Sequence, residues 1–256
     1  HNCKLHTIYS RSDRATSLRI ALMALLGVFK CWKKTDTIVS RNLYASFLLG
    51  AAFRYPLLYE THELESGWRK FLQHQIMIKP QVTTIVITQR LLEILQENHG
   101  GAPAKAFVLH DAASEGPPPL PLKKKRQEML SRFPDIHDHW TSVCGYFGHL
   151  YSGRGIEIIM GMSAARPEIL FLVFGGNESD VSRYTASNSR TNLRFMGHLA
   201  HAQARDVMRC MDVLLMPYQT NVSIGIKGHD IGQCLSPMKM FEYMASGVPI
   251  ISSDLP

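Results

Sequence analysis

Short, β-branched apolar stretches alternate with helix-length amphipathic ones along almost the whole chain, and this alternation decides the fold class. In the first half, "DTIVSR" (36–41), "PLLYETH" (56–62), "TTIVITQ" (83–89) and "KAFVLH" (105–110) read as strands. Between them, "NLYASFLLGAAFR" and stretches near 64–79 and 90–99 read as helices. The strands are apolar on both faces, as strands of a buried parallel sheet are. Strands separated by helices imply βαβ units with right-handed crossovers. The second half repeats the scheme, with strands at "TSVCGYFG" (141–148), "ILFLVFGG" (169–176), "NLRFMG" (192–197), "VLLMPY" (213–218) and "VPIISSD" (248–254). Helices are expected at 154–165, over "HAQARDVMRCMD" (201–212), and between Ser236 and Gly247.

The composition breaks once, at "EGPPPLPLKKKRQEMLSRFPDIHDHW" (115–140). Three consecutive prolines fit neither a helix interior nor a central strand, and a basic cluster follows, so the stretch reads as a solvated linker. The expectation is therefore an α/β protein of two Rossmann-like, doubly wound domains. These are residues 1–114 and 141–256, joined by the linker 115–140.

Charge and cysteine usage limit the function classes. The 256 residues carry a net charge of +7, which suits an anionic ligand, an anionic membrane surface or nucleic acid. The one basic cluster, Lys123 to Arg126, lacks interleaved aromatics, so no nucleic acid is expected as a partner. Five cysteines without a CxxC pair argue against a disulfide framework or a zinc site and favour a reducing compartment. The longest apolar run, Leu18 to Phe29, contains an arginine and is too short to span a bilayer. The opening "HNCKLHTIYS" lacks both a methionine and a basic-then-apolar leader, giving the expectation of a trimmed N-terminus and no signal peptide.

In an open parallel sheet, ligands bind beyond the carboxyl ends of the strands. In the second half those positions are polar and glycine-rich: "GHLYSGRG" (148–155), "GGNES" (175–179), "GHLAH" (197–201) and "PYQT" (217–220). Glycines let backbone approach a ligand, and helix starts favour anions. Arg154 stands where a helix begins, a slightly unfavourable place for a cation unless it meets phosphate. No GxGxxG fingerprint or Walker A loop is present, which disfavours a nicotinamide enzyme or a P-loop NTPase. In the closing helix, Ser236 reads as the N-cap, Pro237 as the first helical residue and Gly247 as the stop. Glu242 lies one turn inside that helix, where a carboxylate either faces solvent or accepts hydrogen bonds from a ligand's hydroxyl pair.

The closing stretch "SPMKMFEYMASGVPIISSDLP" (236–256), with "YFGHLYSGRGIE", "LFLVFGG", "NLRFMGHL" and "MDVLLMPY" upstream in order, resembles the family 4 glycosyltransferases of GT-B architecture. "SRN", "YETHE" and "VITQRL" extend the likeness loosely into the first half. The resemblance implies two Rossmann-like domains facing a cleft, the second holding a nucleotide-diphosphate sugar and the first an acceptor. It implies sugar transfer to a hydroxyl with retention, in glycan or polysaccharide biosynthesis, without metal or other cofactor. By position, the ribose-binding glutamate falls on Glu242, and phosphate-binding basic residues fall on Arg154 and His149. Backbone at Pro237, Met238 and Lys239 would approach the diphosphate, and backbone at Gly197, His198 and Leu199 the base. A histidine near the sugar falls on His62, where the alternative is a local hydrogen bond.

The sequence departs from the pattern where a second, sugar-contacting glutamate would stand eight positions before Glu242; Cys234 is there instead. His229 and Asp230 are substitute candidates. Relative to the family both ends look short, so each domain is expected to be incomplete. The expected partners are a nucleotide-sugar donor and a glycan or lipid-linked acceptor, with peripheral membrane contact at the cytoplasmic face suiting the positive charge. The rival readings are a GT-B nucleotide-sugar epimerase and a non-catalytic nucleotide-binding protein.

Overall fold

The computed structural model describes residues 14–31, 33, 37–116, 118–136, 139–223, 232 and 236–255. His229, Asp230 and Cys234 therefore lie outside the described residues. The chain divides into two compact units, His1–His110 and Asp111–Pro256.

The first unit holds helix α1 (Arg14–Cys31), strand β1 (Ile38–Ser40), helix α2 (Leu43–Ser46) running into a π-helical turn over Phe47–Ala52, and strand β2 (Leu57–Thr61). It continues with helix α3 (Gly67–Met77), β3 (Val82–Val86), α4 (Gln89–Asn98) and β4 (Ala106–Val108). The four strands form a parallel sheet in the order β1-β2-β3-β4. Alternation is visible in β2 and β3, where every second residue is buried. Helix starts follow local chemistry: Asn42 caps α2 by accepting from the Ala45 amide, and Thr88 caps α4 by accepting from the Leu91 amide.

The second unit comprises α5 (Leu122–Arg132), β5 (Ser142–Phe147), α6 (Ile156–Ala165), β6 (Ile169–Phe174), α7 (Glu178–Ser187) and β7 (Leu193–Gly197). It ends with α8 (His201–Met208), β8 (Val213–Met216), α9 (Met238–Ser246) and β9 (Ile250–Ser252). Its five parallel strands run β7-β6-β5-β8-β9. The chain winds outward from β5 through β6 to β7, then returns to the other side of β5 with β8. The strand order therefore reverses between β5 and β8, and the crevice beyond their carboxyl ends is the expected ligand position. The central strands β5 and β6 are buried on both faces, with one core on each side of the sheet. Gly145, in mid-strand, admits the Met211 side chain, since a Cβ there would come within 2.6 Å of Met211 Cγ.

Residues 115–140 correct the linker reading. The stretch from 111 onward belongs to the second unit. Met129 and Ile136 are buried in its core, with Leu120, Leu130, Phe133 and Trp140 packed against it. Even the proline segment is docked: Arg209 donates to the Pro118 carbonyl from Nη2 (2.6 Å) and Nε (3.1 Å), and Arg205 donates to the Glu115 carbonyl (2.7 Å). In the basic cluster, Lys125 donates to the Met211 carbonyl and Arg126 to that of Trp140. The apolar residues that follow the lysines, not the prolines, decide the outcome.

Candidate functional site

Each unit carries a pocket at the carboxyl ends of its strands, and the two are built from opposite electrostatic materials.

In the first unit, a polar pocket of about 230 Å3 opens beyond β1 and β2, lined by Arg41, Asn42, Tyr44, His62, Glu65 and Arg69 among others. His62 follows β2 and is held on both ring nitrogens. Nε2 meets Glu60 Oε1 at 2.6 Å, and Nδ1 meets Arg41 Nη2 at 3.1 Å. A guanidinium only donates, so Nδ1 accepts and Nε2 carries the proton given to Glu60. Arg69 grips Glu65 with two bonds of 2.6 Å and lies over the Tyr44 ring. Beneath, fully buried Gln73 on α3 donates to Thr61 Oγ1 and to the Glu63 carbonyl, and accepts from the Glu65 amide. The loop that carries His62 is thereby fixed to α3.

In the second unit, a cleft of about 490 Å3 sits at the switch point. Of the residues expected at a donor site, His149, Arg154, His198, Leu199, Pro237, Met238, Lys239 and Glu242 line it together. Gly197 does not; its carbonyl accepts the Gly175 amide at 2.6 Å and is used in the sheet.

Arg154 is aimed by the two glycines around it. Gly153 and Gly155 have φ of +81° and +83°, and a Cβ on either would strike backbone of the segment following β8. That segment bonds back through Gln219 N–H to the Gly153 carbonyl (2.9 Å) and Ser223 N–H to the Ser152 carbonyl (3.0 Å). The guanidinium donates from Nη1 to the Tyr218 hydroxyl at 2.6 Å and packs over that ring, while its buried Nε has no partner among the described residues.

Helix α9 corrects the capping expectation. Pro237, with ψ of 109°, is the extended residue before the helix, and Met238 is the first helical residue. Ser236 makes no capping bond; its buried hydroxyl lines the cleft without a partner among the described residues. Gly247 ends the helix with φ of +66°, as expected. The helix is tied over the switch point by Tyr243, fully buried, whose hydroxyl accepts the Phe147 amide at 2.8 Å. This places Glu242 in the cleft, where His201 Nε2 meets its Oε1 at 2.7 Å.

Lys239, expected to contribute backbone, also turns its side chain into the cleft. Its ammonium is enclosed 3.8 Å above the centre of the Tyr146 ring and 5.1 Å from that of Tyr218. It fits because residue 148 is glycine; a Cβ there would come within 2.7 Å of Lys239 Cε. Burial, and next the Arg154 charge, hold this ammonium well below the usual lysine range, against a smaller upward pull from Glu242. Burial and then Arg154 likewise lower His149, which stacks on Tyr151. No group of three or more metal-ligating side chains is present among the described residues, nor any helix long and apolar enough to cross a membrane.

Tyr218 and His201 fall in the strand-end loops "PYQT" and "GHLAH" that the sequence singles out, without being named as site residues, whereas Tyr146 and the side chains of Ser236 and Lys239 carry no such signal.

Residues 142–256 match the family model described as Glycosyl transferases group 1. That match takes in all five strands of the second unit's sheet. Among solved structures, the chain is similar to the HepE protein of Anabaena in complex with UDP and glucose, at 13% identity and a TM-score of 0.61, covering 96% of this chain and 65% of that one. It is also similar to the catalytic domain of starch synthase IV from Arabidopsis thaliana bound to ADP and acarbose, at 12% and 0.64, covering 94% and 62%. WaaG, a glycosyltransferase involved in lipopolysaccharide biosynthesis, matches at 12% and 0.58, covering 96% and 66%. These likenesses establish the fold as that of GT-B proteins, with two parallel-sheet α/β domains. The chain spans less than two thirds of the length of the HepE and starch synthase structures. No curated protein matches the sequence.

Proposed function

We propose that the chain transfers a sugar from a nucleotide-diphosphate sugar to an acceptor hydroxyl, with the donor held in the cleft of the second unit. One observation carries this reading: Arg154 Nε, Lys239 Nζ and Ser236 Oγ are buried at one cleft without hydrogen-bond partners among the described residues. Buried donors left unmade are costly, and two of these belong to basic side chains that line the same cleft, so the arrangement suits a dianionic ligand. The UDP and ADP in the HepE and starch synthase structures support the ligand class.

In this reading Arg154, Lys239 and the positive end of α9 stabilise the charge that develops on the leaving diphosphate. Glu242, steadied by His201, accepts hydrogen bonds from the ribose hydroxyls, and His198 and Leu199 border the base. The bond from the anomeric carbon to the diphosphate oxygen breaks as the bond to the acceptor oxygen forms. The acceptor's proton passes to the departing diphosphate, on the same face, so that configuration is retained. His62, in the polar pocket of the first unit, serves the acceptor side; a glycan hydroxyl fits its paired donors and acceptors.

Calorimetric titration with UDP, GDP and ADP, repeated on Arg154→Ala and Glu242→Ala, tests the donor site. Binding of one nucleotide, weakened by both substitutions, is the expected result and names the base. A folded protein that binds none of the three would overturn the reading. Release of free nucleotide on adding donor and acceptor separates transfer from epimerisation.

A further inference from the structure

The cleft of the second unit encloses a lysine whose nitrogen has no hydrogen-bond acceptor among the described residues. Lys239 Nζ is enclosed by the Tyr146 and Tyr218 rings and seated in the space left by Gly148, with no hydrogen-bond partner among the described residues. The groups facing it are Tyr146 from β5, His149 and Arg154 from the loop after β5, Tyr218 from the segment after β8, and Glu242 and Tyr243 on its own helix. His198 and His201 border the same cleft from the β7 end and α8. Tyr146 gives its proton to the His149 carbonyl (2.7 Å) and Tyr243 bonds to backbone, so neither supplies a counter-ion. Glu242 is engaged by His201. Arg154, the remaining strong charge, has the same sign as the lysine.

We propose that Lys239 enters the bound state as an ammonium shared with Arg154 across one phosphate of the donor, and that it takes a proton from solvent as the nucleotide binds. This rests on the donor-site reading above and adds to it a second phosphate ligand and a proton linkage. In this proposal the side chain is an amine before nucleotide binds: a ring face alone does not replace the water stripped from a buried ammonium, and Arg154 repels the charge. A bridging phosphate supplies both the missing acceptor and the opposite charge. The balance is one amine, one proton and one nucleotide giving one ammonium–phosphate pair, with no other bond made or broken.

The experiment is titration of the full chain with UDP, GDP and ADP at about pH 8, where free nucleoside diphosphates are already ionised, in two buffers of different ionisation enthalpy. The dependence of the heat on the buffer counts protons. The expected count approaches one taken up per nucleotide, with affinity falling by up to about tenfold per pH unit as the pH rises. Lys239→Met is expected to bind at least tenfold more weakly without proton uptake, while its unfolding midpoint in the absence of ligand is no lower than the parent's, since it removes a buried amine lacking a partner. A bound nucleotide with a proton count of zero overturns the proposal and leaves the donor site standing. No binding by the folded parent overturns both. A Lys239→Met chain that melts earlier but binds as the parent does makes the lysine structural and also overturns the proposal.

Discussion

The pockets of the two units differ in how their charges are satisfied. In the first unit every cation that lines the pocket has a protein partner: Arg41 meets His62 and Glu60, and Arg69 forks onto Glu65. In the second, Arg154 and Lys239 share a cleft in which Glu242, the one lining carboxylate among the described residues, is joined to His201. A pocket whose two arginines are both paired, and whose glutamates Glu60, Glu63 and Glu65 outnumber them, offers an anion no net attraction and suits a neutral polyhydroxyl ligand. A pocket with two basic side chains, and buried donors unpaired among the described residues, gains most from an anion. The difference assigns the anion in the proposed reaction to the second unit's cleft, so the effects of substitutions should separate by unit.

The largest expected effect follows from Arg154→Ala. Losing charge-assisted bonds to phosphate lowers nucleotide affinity on the order of 100-fold. A change below about threefold, measured by calorimetry, would break the contrast between the pockets. Next comes His62→Ala. It is expected to reduce sugar transfer at least about tenfold and leave nucleotide affinity unchanged, because its partners are Arg41 and Glu60, remote in kind from a phosphate site. Equal losses in both measurements would mean that the two sites are not independent.

A third prediction concerns acid. His99, buried behind the first pocket, has its pKa lowered to about 4, by burial first, then by His74 and Lys70. Its Nε2 bonds the same Gln73 oxygen that receives the Glu65 amide. The folded state refuses a proton that the unfolded chain accepts. The stabilisation is therefore complete above about pH 6.5 and lost as the pH falls through about 4, with an expected cost on the order of 2 kcal/mol. Unfolding curves of parent and His99→Gln between those limits should converge on acidification. Parallel curves would remove His99 from the acid response.

The strands were legible because a strand buried on both faces has an unmistakable composition: "ILFLVF" (169–174) and "SVCGYF" (142–147) leave little choice. Residues 115–140 were misread because three prolines dominate local propensity, while the burial of Met129 and Ile136 depends on a sheet that exists only after folding. Helix α7 escaped notice although Asn177 caps it in the usual way, because no residue of that helix is buried and an apolar stripe is therefore missing. In the cleft, Arg154, His149 and Glu242 were reachable from spacing and resemblance. The inward turn of Lys239 was not, since it depends on a gap at Gly148 ninety-one positions earlier by number (239 less 148). Tyr218 and His201 are likewise site residues only through their partners.

The smallest effect tests how the second pocket is held. The first is fixed by its own ion pairs, whereas α9 stands over the switch point through one buried hydroxyl. Tyr243 receives the Phe147 amide at 2.8 Å, and its oxygen lies 3.5 Å from the Phe147 carbonyl and 3.4 Å from that of Leu215, at the ends of β5 and β8. Tyr243→Phe keeps the ring and its packing against Phe147 but leaves a buried amide unpaired, which should lower stability by about 1 kcal/mol. Because Lys239 and Glu242 ride on the same helix, nucleotide affinity should fall with it by about the same free energy, roughly fivefold, while the first unit's acid response through His99 stays as in the parent. A loss of stability with affinity intact would mean that α9 keeps its place through the packing of Met240 and Val248 against the core, and that the hydroxyl only satisfies a strand end.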